Sequence, residues 1–172
     1  DADLDASSLR ASCEKSLKLL QTDYIDLLQV HWASREVPFS ETVETLNALK
    51  AEGKIRYAGV CNFGPGDMNE WCEAGGEMIS NQLPYSLLSR AIEFDVVPDC
   101  ERRSVSVLPY SPLLQGLLTG KFVSADEVPE GRARLRHFSC DRAATRHGEA
   151  GCEAETFALI AEVVAAAKEL GV

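Results

Sequence analysis

The stretch Thr22-Asp23-Tyr24-Ile25-Asp26-Leu27-Leu28-Gln29-Val30-His31-Trp32 decides how this chain is read. From Ile25 to Val30 it is a nearly unbroken apolar run, too short for a membrane span and too apolar for a strand with one face in water. It is expected to be a strand covered on both faces, as in parallel sheets flanked by helices. In α/β folds, ligands bind at the carboxyl ends of such strands, which is where His31 and Trp32 fall.

Working outward, strand-like runs alternate with helical patterns. A helix is predicted from Ser8 to Leu20, with Leu9, Cys13, Leu17 and Leu20 on one stripe. After the strand, Ser40 is expected to cap a helix carrying Val43, Leu46 and Leu49, with Gly53 as its C′ residue. A second strand is predicted at Ile55 to Val60, and Pro65 opens a short helix through Trp71, closed by Gly75-Gly76. A third, brief strand is placed at Met78 to Asn81. Ser89 or Asp95 is expected to cap the helical stretch that ends at Arg103, where Pro98 demands two pieces or a late start. The fourth strand is placed at Val105 to Leu108. From Phe122 to Gly151 the chain is polar and irregular and carries arginines at 132, 134, 136, 142 and 146. That length points to a functional lid or a disordered insert. An alanine-rich amphipathic helix from Glu155 to Leu170 ends the pattern.

The 172 residues are of single-domain length, 45% hydrophobic and 26% charged, which excludes wholesale disorder. The net charge of −10 argues against a nucleic-acid or anionic-membrane partner, both of which need basic surface. It leaves room for a phosphorylated cofactor, because helix N-termini and a few local cations can hold phosphate on an acidic protein. No apolar run reaches transmembrane length, and the Asp-rich start is unlike a signal peptide, so a cytoplasmic location is expected. Cysteines 13, 61, 72, 100, 140 and 152 form neither a disulfide framework nor a metal-ligand spacing; reduced thiols and no metal are expected.

Strand followed by helix, repeated, is the rhythm of an α/β protein with right-handed crossovers. An eight-unit barrel needs about 250 residues, so this chain is either a smaller open sheet or part of a barrel. The residues just past the strands are His31-Trp32, Cys61-Asn62-Phe63, Asn81-Gln82 and Pro109-Tyr110-Ser111-Pro112. Each alone has a bland explanation: a packed histidine, a turn asparagine, a helix cap, a core tyrosine. Four in register on one rim suggest a ligand site, and amide groups beside a flat aromatic suit a nicotinamide.

In order and spacing, Leu9 to Trp32, Glu52 to Phe63, Asn81 to Arg90 and Pro109 to Lys121 resemble the central part of an aldo-keto reductase. The resemblance spans nearly the whole chain. It implies a (β/α)8 TIM barrel, present here as strands four to seven, without the first three strands and the C-terminal end. It implies NAD(P)H-dependent reduction of a small aldehyde or ketone substrate to an alcohol, with NADP(H) ahead of NAD(H) and no metal. His31 matches the tetrad histidine that orients the substrate carbonyl, and Trp32 would line the substrate pocket. Asn62 and Gln82 match the residues that hold the nicotinamide carboxamide, and Tyr110 matches the aromatic that stacks on the ring. Cys61 stands where a serine is usual, which weakens one contact by about 1 kcal/mol. Ser111, Leu113 and Gly116 match the loop that meets the pyrophosphate, and residues 122 to 151 become a candidate cofactor cover.

The tetrad's tyrosine, lysine and aspartate belong upstream of Asp1, and the 2′-phosphate determinants beyond Val172. The isolated chain is therefore expected to be inactive and prone to aggregate, since an incomplete barrel keeps open edges. The alternative is a catalytically incompetent fragment or a cofactor-sensing regulatory subunit. Oligomeric state is not legible.

Overall fold

The computed structural model describes residues 4–171, which form two compact units divided after Tyr110. The first unit begins with α1 (Ala6–Leu20), followed by β1 (Ile25–Val30), α2 (Phe39–Ala51) and β2 (Ile55–Cys61). It continues with α3 (Pro65–Glu73), β3 (Ser80–Pro84), a 3-10 turn (Ala91–Glu93), α4 (Val96–Arg103) and β4 (Ser106–Tyr110). The strands make one parallel sheet in the order β1-β2-β3-β4. Parallel neighbours need a crossover, and a helix supplies it each time.

The core lies on the helix side of the sheet. Val30, Val60 and Leu83 meet Leu9, Cys13 and Leu17 of α1, Val43, Leu46 and Leu49 of α2, and Met68 and Trp71 of α3, in one buried cluster. Phe39, Phe63 and Trp71 form an aromatic triangle with centroids 5.5, 5.6 and 5.7 Å apart. Asn81 is fully buried here: its Nδ2 donates to Phe63 O at 2.9 Å, and Phe63 N donates to its Oδ1 at 3.4 Å. A buried amide satisfied in this way ties β3 to the turn that starts α3.

Several expectations are corrected. β1 is not covered on both faces: only Val30 is buried, because helices cover one face and the other is open among the described residues. Tyr57 is 50% and Leu108 37% exposed on that open face. β3 and β4 each lie about two residues later than predicted. Gln82, Leu83 and Pro84 extend β3 beyond its predicted end while Met78 and Ile79 fall outside it, and Pro109 and Tyr110 extend β4. Consequently Gln82 is the middle residue of β3 and Tyr110 the last of β4, rather than residues beyond the strands. Ser40 does not cap α2; Pro38 holds the N-cap position and makes no side-chain bond there. α1 starts two residues early because Asp5 is the cap, its Oδ1 accepting from Ser7 N and Ser8 N at 3.0 and 3.1 Å. Pro98 falls in the first turn of α4 behind a separate 3-10 turn, so the two-piece expectation holds.

The second unit carries helical turns at Leu114–Thr119 and Ala125–Glu127, then α5 (Glu153–Leu170). Between Val128 and Cys152 the chain is turns and bends without helix or strand. Arg142 stitches it to α5, its guanidinium donating to both oxygens of Glu153 at 2.6 and 2.8 Å. Among the described residues no helix is long and apolar enough to cross a membrane.

Candidate active site

The carboxyl ends of the four strands open into a cavity of about 410 Å³ lined by Gln29, His31, Trp32, Cys61, Asn62, Gln82 and Tyr110. Six of these seven residues were singled out from the sequence. They meet because parallel strands deliver their C-terminal ends to one rim, and the register Gln29↔Gly59, Cys61↔Gln82 and Pro84↔Tyr110 aligns those ends.

Asn62 ties the rim together. Its backbone N–H donates to Gln82 O at 2.9 Å, and its Nδ2 donates to His31 O at 3.1 Å and to Cys61 Sγ at 3.2 Å. Its Oδ1 accepts from Tyr110 Oη at 3.0 Å. One side chain thus connects the ends of β1, β2 and β4. Asn62 has φ 62°, a left-handed conformation that asparagine tolerates better than most residues. The Cys61 thiol, expected only to weaken a contact, here accepts a hydrogen bond that helps hold the Asn62 amide.

His31 is exposed, and its ring lies 5.9 Å from Trp32, tilted by 44°. Burial pushes the Cys61 thiol above its usual range, so it stays a neutral hydrogen-bonding group rather than a thiolate nucleophile. Burial likewise raises Tyr110, which therefore remains a phenol at neutral pH and keeps its donor proton.

Gln29 was not foreseen as a site residue. Its Nε2 donates to Gln82 Oε1 at 2.6 Å, and its Oε1 accepts from Ser80 Oγ at 2.9 Å. The signal was present in the sequence as a glutamine two residues before His31, on the same face of an otherwise apolar strand.

Ser111, Leu113 and Gly116 belong to the second unit. Ser111, Leu114, Gln115 and Gly116 all have positive φ, at 53, 47, 55 and 95°. The turn is closed by Leu114 N donating to Ser111 O at 2.8 Å and Gly116 N to Leu113 O at 2.9 Å. Three non-glycine residues in this turn hold the left-handed conformation, which costs backbone energy. Among the described residues no group of three His, Cys, Asp or Glu side chains could hold a metal ion.

A parallel sheet with crossover helices and an amide-rich rim defines a class, and comparison with known proteins gives its family. The model of the Aldo/keto reductase family matches residues 1–172, so the chain belongs to the aldo-keto reductase family. It is 42% identical over 131 residues to the NADH-specific methylglyoxal reductase of Escherichia coli, covering 74% of this chain and 40% of that protein. A second methylglyoxal reductase of Escherichia coli is 46% identical over 106 residues, covering 60% of this chain and 37% of that protein. Among solved structures, a glycerol dehydrogenase of Gluconobacter oxydans superposes with a TM-score of 0.81 at 30% identity, covering 98% of this chain and 49% of that one. An aldo/keto reductase of Klebsiella pneumoniae, solved with NADP and acetate, gives 0.63 at 28% identity, covering 97% and 66%. The chain spans less than half the length of these curated relatives. Its four-stranded sheet corresponds to an incomplete (β/α)8 barrel of this family, whose members use nicotinamide cofactors. The open face carrying Tyr57 and Leu108 is then the face that a barrel turns inward.

Proposed function

We propose that the protein carrying this chain reduces a small aldehyde or ketone to an alcohol, with His31 as its carbonyl-orienting residue. The observation that carries this reading is the convergence of His31, Trp32, Asn62, Gln82 and Tyr110 on one cavity at the carboxyl rim. That cavity suits a flat amide-bearing ring: amide groups line it, and an aromatic that keeps its phenol proton sits beside them. A bound nicotinamide cofactor supplies the hydride.

The chain's own residues would do the following. The His31 imidazole donates an N–H to the carbonyl oxygen, which orients it and stabilises the charge that develops there. Trp32 excludes water from the substrate side. Gln82 and Asn62 hold the carboxamide; Asn62 Oδ1, already accepting from Tyr110, keeps a second lone pair for an amide N–H. Tyr110 offers its ring to the nicotinamide. For the second unit, Ser111, Leu113 and Gly116 are proposed to take the phosphate end; the Gly116 N–H already donates to Leu113 O, so the Ser111 hydroxyl is the polar group that would meet the anion. Residues 122–151 are proposed to close over it, with Arg142 held ready by Glu153.

NADP(H) is proposed as the cofactor. The Klebsiella structure with NADP supports it, whereas the name of the first Escherichia coli relative specifies NADH. The two methylglyoxal reductases make an α-oxoaldehyde a reasonable first substrate. The test is steady-state reduction of methylglyoxal by the full-length protein with NADPH and with NADH. His31→Ala is expected to lower kcat by about 10²-fold or more while cofactor binding is kept, as for loss of a transition-state donor. Unchanged turnover would remove His31 from the mechanism. Cofactor binding with no turnover of any carbonyl would favour the regulatory alternative.

A further inference from the structure

We propose that Gln29 is a positioning residue: held between Ser80 and Gln82, it fixes which end of the Gln82 amide faces a nicotinamide carboxamide. The inference rests on the nicotinamide reading of the cavity and adds a residue and a polarity to it.

Gln29 and Gln82 stand on strands that are not paired. β2 lies between them, so the backbones are about 9–10 Å apart, two strand spacings. A glutamine crosses that distance only where the strand between presents no side chain. The residue in register with Gln29 is Gly59. A Cβ at position 59 would stand 2.3 Å from Ser80 Oγ, 3.1 Å from Leu27 Cδ1 and 3.2 Å from Gln29 Cγ. The glycine is the gap through which β1 reaches β3.

Direction is that of the Gln29 amide, which the structure sets with Oε1 toward Ser80 and Nε2 toward Gln82. Ser80, 2% exposed, donates its hydroxyl to Gln29 Oε1. An amide has one accepting and one donating end, so Gln29 then meets Gln82 with Nε2 and Gln82 must answer with Oε1. That leaves Gln82 Nε2 as the free, donating end. A donor there pairs with the carbonyl oxygen of a carboxamide and not with its NH2 group. The relay Ser80, Gln29, Gln82 is a chain of aligned hydrogen bonds in which each member orients the next.

The alternative is that Gln29 only satisfies polar groups on this face of the sheet. Gln29→Glu separates the two. A carboxylate still accepts from Ser80 but cannot donate, so Gln82 must turn its Nε2 to Glu and present Oε1 to the cavity. The measurement is the dissociation constant of the full-length protein for NADP+ and for its 3-acetylpyridine analogue, followed by quenching of tryptophan fluorescence. The analogue keeps the carbonyl and replaces NH2 by methyl. Relative to the native protein, Gln29→Glu is expected to raise the analogue-to-NADP+ ratio of Kd about tenfold, the worth of one such contact at 1.4 kcal/mol per decade. Gln29→Leu is expected to weaken both ligands alike and leave the ratio unchanged. Ser80→Ala, which frees Gln29 to turn, raises the ratio by less, and serves if the glutamate variant fails to fold. An unchanged ratio in Gln29→Glu, or in Ser80→Ala in its place, while Gln82→Leu weakens NADP+ binding, overturns the relay and leaves the nicotinamide reading intact. No NADP+ binding by the native protein, or no effect of Gln82→Leu, overturns that reading and the relay with it.

Discussion

Gln29 Nε2 and Gln82 Oε1 are 2.6 Å apart although 53 residues and an intervening strand separate them. The bond crosses above Gly59, so the rim of this incomplete barrel depends on a residue that touches no ligand. The consequence is a cavity whose polarity is set from beneath.

Gly59→Ala tests that dependence through stability. The added methyl collides with Ser80 Oγ at 2.3 Å and presses on Leu27 and Gln29. Overpacking of this kind costs about 1–3 kcal/mol. The urea midpoint should fall while the m-value is unchanged. A midpoint equal to that of the native protein would show that the crossing adapts without cost.

Asn62→Gly keeps the left-handed φ of 62° but removes all side-chain bonds to His31 O, Cys61 Sγ and Tyr110 Oη. Each such bond contributes about 0.5–1.5 kcal/mol. Nicotinamide binding is expected to weaken about tenfold or more, with a loss of stability of about 1–2 kcal/mol. Asn62→Ala should be worse folded than Asn62→Gly, because alanine resists positive φ. Equal melting temperatures for the two would refute the strain argument.

Trp71→Ala empties the aromatic triangle with Phe39 and Phe63 and leaves Glu77 O without the Trp71 Nε1 donor at 3.3 Å. Trp71 is 1% exposed, so truncation should cost about 3–5 kcal/mol. Equilibrium unfolding of the variant beside the native protein gives the number. A loss under 1 kcal/mol would mean that Phe39 and Phe63 collapse into the gap.

The Arg142–Glu153 pair predicts an acid dependence. The guanidinium of Arg142 first, then the Ser139 N–H, lowers the Glu153 carboxyl to about 2. A carboxyl whose folded pKa is depressed stabilises the protein above its unfolded value, near 4.5, and loses that contribution as pH falls toward about 2. Both side chains are about a quarter exposed, so solvent screening limits the contribution to about 1 kcal/mol. Glu153→Gln should therefore melt below the native protein at pH 7, and the gap should close as pH drops through that window. A gap that stays constant from pH 7 to pH 3 would show that the lost packing, not the charge, matters.

The alternation of strand and helix was legible because its periods, two and 3.6, are local properties of the chain. Leu9, Cys13 and Leu17 were correctly placed on the buried stripe of α1, whereas Leu20 at its end is exposed, and Pro65 opened α3 as expected. β3 and β4 were ended too early because Gln82, Pro84 and Pro109 read locally as strand breakers, whereas pairing with the neighbouring strands keeps them in the sheet. The half-covered β1 was missed because Leu27, as apolar as its core-facing neighbours Leu28 and Val30, lies on the open face with Gln29.

His31, Cys61, Asn62, Gln82 and Tyr110 could be named from their order along the chain, because each lies in the C-terminal half of a strand or just past it, and parallel strands end on one rim. Which atoms of those residues face one another was decided only by the tertiary structure. Register across β1, β2 and β3 sets Gln29 over Gly59 and brings Ser80 and Gln82 within its reach. Such pairings join positions about fifty residues apart, and the pattern of one segment holds no information about the distance to another.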